Sequence, residues 1–235
     1  SEAPAAADGP TVRSPHLSPA QVGDYLLCEE KYRLSRIKKL PQRSNARLVI
    51  GTADTEANVA NMQSVIDTQE MLSLADVETA AAEAFDNRVE WEGGSKEVDW
   101  GDATEGAAKA KAVQVAGVYR ETVSPSVKPL AVEQPISFEV AGAPPTIGYA
   151  DVVEKHQVVE KKTAASLTRQ IQPWWKPQAL IYAAALDRPV AFHVTTKAAA
   201  PKVTTPETDE YLLQPVERLQ AEAVGRSVAD GLRMQ

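Results

Sequence analysis

The sequence predicts an α/β fold, with a small mixed sheet flanked by helices. Three observations predict it. The first half holds four segments with helix caps and helical apolar spacing. The chain then changes to short runs that alternate apolar and polar residues between tight turns. A short apolar helix, one more strand and a last helical segment follow.

In "HLSPAQVGDYLLCEEKYRLSRI", Ser18 is an N-cap, Pro19 takes the first helical position and Gln21 lies three residues after the cap. This is a capping box, and it predicts a helix to about Lys31. "NARLVIGTADTEANVANMQSVI" reads as a second helix. Gly51 inside it costs about 1 kcal/mol relative to Ala, which marks a close approach of another backbone. "SLADVETAAAEAFDNRVEW" is a third helix, capped by Ser73 with Asp76 in the box position. "TEGAAKAKAVQVAGVYRETV" is a fourth, ending before Pro125. "KPLAVEQPISFEVAG" alternates like a strand and "APP" turns the chain. "TIGYADVVE" and "HQVVEKKTA" are two further strands joined at Lys155-His156-Gln157. These three strands are predicted to be antiparallel neighbours in order. "PQALIYAAAL" is a short helix, "RPVAFHVTTKA" a strand, and a helix is predicted from about Pro215.

The 235 residues are 43% hydrophobic and 24% charged, which suits one substantial domain. No apolar run approaches the roughly 18–20 residues of a membrane span, so no membrane association is expected. "SEAPAAADGP" has no basic region or apolar core, so it does not read as a secretory signal. Residues 1–13 are expected to be a disordered tail, and residues 14–235 a single domain. The one cysteine, Cys28, allows neither a disulfide nor a cysteine cluster within the chain. It predicts a reducing, cytoplasmic setting and reads as a small buried hydrophobe. The net charge of −7 argues against a protein that simply coats nucleic acid. However, residues 31–47 carry Lys31, Arg33, Arg36, Lys38, Lys39, Arg43 and Arg47 with no acidic residue among them. This stretch is either a phosphate-contacting patch, a protein-binding patch or a solvated face.

The hairpin carries the chemistry. Glu160 and Lys162 are two apart on one strand and share a sheet face. Asp151 on the neighbouring strand falls beside them if the register allows. Two carboxylates on one face repel unless one is protonated or a cation sits between them. Hard oxygen ligands suit Mg²⁺ or Mn²⁺, and an ammonium beside them stabilises a negatively charged transition state. On spacing alone, a surface salt-bridge cluster across the hairpin is the other reading.

Five pieces in order resemble the PD-(D/E)XK nuclease superfamily, in its RecB-like exonuclease branch. "LSPAQVGDYLLCEEKYRL" is similar to that branch's first Tyr-Cys helix, and "IGTADTEA" to its Gly-x-x-x-His helix. "IGYADVVEKHQVVEKKTA" is similar to its Asp…Asp-x-Lys hairpin, "PQALIYAAAL" to its Gln-x-x-x-Tyr helix and "FHVTTKAAAPKV" to its last core strand. The resemblance implies a restriction-endonuclease-like core and a Mg²⁺- or Mn²⁺-dependent DNA nuclease, in recombination or repair. Asp151 and Glu160 would bind the metal, with the backbone carbonyl of Lys161, and Lys162 would be the catalytic lysine. Gln178 and Tyr182 would support the site or touch substrate, although Tyr182 also reads as plain helix packing. The branch's helix histidine falls on Thr55, whose flanking Asp54 and Glu56 are expected on other faces of the helix, while Glu133 is another acidic neighbour. Loss of that histidine opens an alternative, a catalytically inactive DNA-binding or assembly module on the same fold. Glu29 stands where the branch has proline, and the three further cysteines of its iron–sulfur members are missing.

Beside the hairpin, "QPWWKPQ" places Trp174 and Trp175 with Lys176 and Arg169, a set suited to stacking on unpaired bases, although a tryptophan capping the core fits equally. Arg36, Lys38 and Lys39 are the basic residues best placed to contact DNA phosphates. No Walker motif or nucleophile elbow is present, so a helicase motor or recombination partner would be another chain. The Ala- and Pro-rich composition suits a GC-rich bacterium or its phage.

Overall fold

The structure is a computed structural model that describes residues 16–139, 144–166 and 171–204. The expected N-terminal tail, the helix from about Pro215 and Arg169 lie outside the described residues. In chain order the elements are α1 (Pro19–Leu27), α2 (Glu29–Tyr32), a π-helical turn (Arg33–Ile37), β1 (Ser44–Asn45), α3 (Ala46–Thr68), α4 (Leu74–Trp91), β2 (Val98–Asp99), α5 (Glu105–Thr122), β3 (Pro129–Phe138), β4 (Thr146–Glu154), β5 (Val158–Ala164), α6 (Lys176–Leu186), β6 (Val190–Thr196) and β7 (Val203–Thr204). Among the described residues no helix is long and apolar enough to cross a membrane.

The main sheet has the order β3-β4-β5-β6-β7. Every pairing is antiparallel except β5 with β6, which run parallel and are joined through α6. One sheet face packs on α1 and α6 through Val22, Tyr25, Ile181, Val158 and Phe192. The other packs on α3 and α5 through Met62, Tyr119, Val152 and Val159. α4 lies outside α3 and α5, and small side chains such as Ala57, Ala81 and Ala116 let these helices approach closely. The result is a helix–sheet–helix sandwich, as the sequence predicts.

The caps form as read. Ser18 accepts the Gln21 N–H at 3.1 Å, and the Gln21 side chain accepts the Ser18 N–H at 2.7 Å. Ser73 accepts the Asp76 N–H. A Cβ added at Gly51 would lie 3.1 Å from Thr163 Oγ1, so this glycine lets α3 lie directly on β5.

The first helix departs from expectation. It does not run to Lys31 but breaks at Cys28, which is extended at φ −162° and ψ 104°. Tyr25 and Tyr32 are both buried, and their rings meet edge-on at 5.5 Å. In a straight helix, seven residues would separate them by about 10.5 Å along the axis. The break turns α2 back so that both rings enter the same core. It also puts Cys28 at the surface, where its sulfur accepts the Lys31 N–H at the start of α2. The expected buried cysteine is therefore an exposed cap.

Candidate active site

The strands β4 and β5 pair through their backbones only at Val152↔Val159 and Val153↔Val158. Beyond Val152 they diverge, and two acidic side chains fill the fork. Asp151 Oδ2 accepts the Lys161 N–H at 2.7 Å, and Glu160 Oε1 accepts the Asp151 N–H at 3.3 Å. Each strand's carboxylate thus bonds the other strand's backbone. In a strand, the N–H and C=O of one residue face the same edge, so the Lys161 carbonyl also faces the fork.

The fork has a cause in the backbone. Ala150 and Val152 are two apart and would share a face in a regular strand. Ala150 packs in the α1/α6 core and Val152 in the α3/α5 core. The alternation reverses at Asp151. On the neighbouring strand, Val132 pairs with Val152 and Gln134 with Ala150. Between them Glu133 is left-handed at φ 46°. For a non-glycine residue this conformation costs roughly 1–2 kcal/mol, and it twists both strands where the candidate acid sits.

Glu160 is 1% exposed. Its Oε2 accepts from Lys162 Nζ at 3.2 Å and from Gln178 Nε2 at 3.1 Å. Gln178 also donates to the Tyr182 hydroxyl, which donates to the Tyr149 carbonyl at 2.9 Å. Burial first, and then the charge of Asp151, push the Glu160 carboxyl up to about 8 against the pull of Lys162. Burial also raises Asp151, opposed by Lys162 and Lys161. Two desolvated carboxyl groups sharing a fork, with a backbone carbonyl turned toward it, are a hard-oxygen donor set that a small divalent cation would fit. Among the described residues no group of three or more His, Cys, Asp or Glu side chains could hold a metal. Two carboxylates, a carbonyl and water would suit Mg²⁺, which keeps several waters in its shell.

Lys161 points the other way, into the α3/α5 side. Its ammonium is buried, 2.9 Å from Asp54 Oδ1 and 3.9 Å from the centre of the Tyr119 ring. Asn58 Nδ2 donates to Asp54 Oδ1 at 2.9 Å. Beside them the Tyr119 hydroxyl and His193 Nδ1 share a hydrogen bond of 2.8 Å. Burial, followed by the Lys161 charge, lowers the His193 pKa from 6.5 to about 4. The folded state therefore holds His193 neutral while the unfolded chain takes up a proton below 6.5. Its contribution is present above pH 6.5 and is lost as pH falls toward 4, by about 3 kcal/mol at most. Denaturant titrations of wild type and His193→Gln are expected to give a stability difference that shrinks across this window. A constant difference would refute it.

A cleft of 730 Å³ between α3 and β3 is lined by Thr52, Thr55, Glu56, Gln63, Val132 and Glu133. Thr55 is thus at this cleft. Both neighbours leave the helix on other faces than Thr55, as expected, and Asp54 turns into the core. The long Glu56 side chain reaches the same cleft, although it leaves the helix about 100° away from Thr55. The Glu133 carboxyl is raised by desolvation and by the charges of Asp151 and Glu56.

The other residues singled out by the sequence fall as follows. Tyr182 is buried and packs in the α1/α6 core while holding its place in the chain from Glu160. Trp175 lies on Phe192, with ring centres 5.4 Å apart, so it caps the core; Trp174 is 48% exposed and Lys176 is exposed at the start of α6. In the basic stretch, Arg36 meets Asp24 at 3.3 Å, Arg33 meets Glu30 and Lys31 lies 3.9 Å from Asp24. Acidic residues just upstream thus pair with three of the seven cations, while Lys38 and Lys39 stay exposed. Sequence reasoning missed the Asp54–Lys161 pair. A signal was present in three successive charged residues on a strand, one of which must face the core.

The family model of the PD-(D/E)XK nuclease superfamily matches residues 16–233, and the chain belongs to that superfamily. Among solved structures, the chain is similar to a candidate exonuclease from Eubacterium rectale. The two share 12% identity over 93% of this chain and 80% of that one, with a TM-score of 0.59, a likeness of fold alone. SSO0001 shares 13% identity over 91% of this chain and 86% of its own, and its TM-score of 0.34 carries no argument. No curated protein matches the chain.

Proposed function

We propose that this chain is a Mg²⁺- or Mn²⁺-dependent deoxyribonuclease of the RecB-like kind, an exonuclease serving recombination or repair. The observation that carries the reading is the reciprocal bonding of Asp151 and Glu160 across the fork, with Lys162 two residues on. Asp151, Glu160 and the Lys161 carbonyl would hold the metal, which supplies Lewis acidity and an activated water when bound. Gln178 and Lys162 hold Glu160 Oε2 from one side and leave Oε1 toward Asp151. Lys162 would place its ammonium where the phosphate gains negative charge in the transition state.

Thr55 supports the second reading, an inactive DNA-binding module, because a hydroxyl is a weaker ligand than imidazole. Added cation separates the two. At 100 times its Kd, a cation bound only to the folded state stabilises by about 2.7 kcal/mol, which raises the Tm of a domain this size by roughly 5–11 °C. Mg²⁺ and Mn²⁺ are expected to raise the Tm on that scale and to support digestion of end-labelled linear DNA. An unmoved Tm together with intact DNA would reject the enzyme and favour the module. Circular DNA run in parallel reports whether free ends are required.

A further inference from the structure

We propose that Arg47 and Lys197 grip one backbone phosphate of DNA between them, at the end of β5 and away from the acid fork. The inference deepens the nuclease reading above and rests on it, because it names a contact that would hold the substrate while the fork cuts it. Lys197 directly follows β6 and is half-buried. Its ammonium donates to Thr163 Oγ1 at 3.0 Å. The same oxygen lies against Gly51 of α3, where an added Cβ would meet it at 3.1 Å. Arg47 is one helical turn before Gly51, so the two share a face of α3. Lys197 is thereby held beside the helix face that carries Arg47.

No carboxylate answers these two cations. Among the described residues neither Arg47 nor Lys197 makes an ion pair. Asp54, the buried acid on the same helix, is taken by Lys161. Burial, and then the Arg47 charge, push the Lys197 ammonium down, opposed by Asp54. Like charges brought to one place repel unless a counter-charge lies between them, so the pair mirrors the two carboxylates of the fork. It is also held rigidly. The Lys197 N–H donates to the Ala164 carbonyl at 2.8 Å. From α5, Lys111 Nζ donates to the Ala198 carbonyl at 2.7 Å and Gln114 Nε2 to the Ala199 carbonyl at 3.3 Å. A preorganised pair loses little freedom on taking up an anion. Residues 190–204 carry Lys197 and Lys202 and no acidic residue, and Arg43 and Arg47 are exposed beside them in sequence order on the way into α3. In a chain of net charge −7, such a cationic spot is where a polyanion makes contact. The position suits the chemistry. Lys162 and Thr163 are consecutive on β5 and face opposite sides of the sheet. Lys162 lies on the Phe192 side, and Thr163 faces α3. A DNA strand crossing the end of β5 would meet Lys162 with one phosphate and the Arg47–Lys197 pair with another.

The test measures binding of a linear DNA duplex by the full chain in Ca²⁺ over a range of salt concentrations. Lys197→Gln and Arg47→Gln are each expected to lower the slope of log affinity against log salt by about 0.9, the share of one phosphate. The double variant should lose no more than either single one, because both cations serve the same phosphate. Lys197→Arg is expected to keep the wild-type slope. Lys109→Gln, which removes a cation paired with Asp86, is the control and should leave the slope unchanged. Arg47 is exposed, so its variant reads the site even where Lys197→Gln loses stability. An unchanged slope in Arg47→Gln, a fall of about 1.8 in the double variant, or an equal fall in Lys109→Gln overturns the inference. Thermal melts in inorganic phosphate test the other source of the anion. A rise in wild-type Tm that the double variant lacks, with the DNA slope unchanged, would make free phosphate the occupant and overturn the assignment to DNA. Digestion in Mg²⁺ is run alongside. Binding and cleavage by wild type without dependence on Arg47 or Lys197 sink the phosphate site alone. Neither binding nor cleavage of any DNA sinks the nuclease reading as well.

Discussion

Lys162→Ala is expected to slow DNA cleavage by about 10²–10³-fold, the usual cost of deleting one preorganised charge at a transition state. Asp151→Asn is expected to slow it further, because it removes one of the two charges available to a cation. Neither change should unfold the protein. The Lys162 side chain is 21% exposed and meets Glu160 at 3.2 Å across the mouth of the fork. An Asn at 151 keeps an oxygen to accept the Lys161 N–H, the bond that ties the strands together. Removing the Lys162 charge also takes away one influence that lowers the Glu160 carboxyl, so Glu160 should hold its proton to still higher pH. End-labelled digestion in Mg²⁺ and Mn²⁺ measures the rate, and a thermal melt reports the fold. Wild-type rates in both variants would remove these residues from the chemistry, whatever the family.

The hairpin was legible because strand chemistry is local. Alternation marks the two strands, Lys155-His156-Gln157 marks the turn, and a spacing of two puts Glu160 and Lys162 on one face. The position of Asp151 was not legible in the same way. A regular alternation would assign its face from Ala150 and Val152, yet these two lie on opposite faces of the sheet. The reversal depends on a left-handed glutamate in another strand, and no sequence rule assigns Glu133 a positive φ. The helix caps were read correctly because each needs only three or four neighbouring residues. The break at Cys28 was missed because its driving force is a meeting of two tyrosine rings in a core built from residues far along the chain. Of the tryptophan pair, only one side chain was available for binding, since Phe192 arrives from β6 to cover the other.

Lys161→Met is expected to be the most destabilising single change near the site, by about 3–5 kcal/mol, although it keeps the Lys161 backbone N–H and carbonyl that face the fork. Asp54 is fully buried, and Lys161 supplies its cation from a residue 107 positions later. Removing one partner of a buried ion pair leaves the other charge desolvated and uncompensated. Melting temperature should fall by roughly 6–20 °C for a domain of this size. The double variant Asp54→Leu with Lys161→Met tests the cause, because replacing both charges with apolar groups removes the stranded carboxylate. It should recover most of the loss. If the double variant is as unstable as the single one, packing rather than charge is the reason, and the pair is not the tie between α3 and β5. The pair also connects to the fork. The Lys161 backbone N–H holds Asp151 while its side chain holds Asp54, so the same residue fixes the acid on one side and the helix that carries Thr55 on the other. Melts with and without Mg²⁺ separate the two roles. A variant that loses stability but keeps the full cation-induced rise in Tm has an intact fork, and one that loses both shows that α3 must be clamped for the carboxylates to bind.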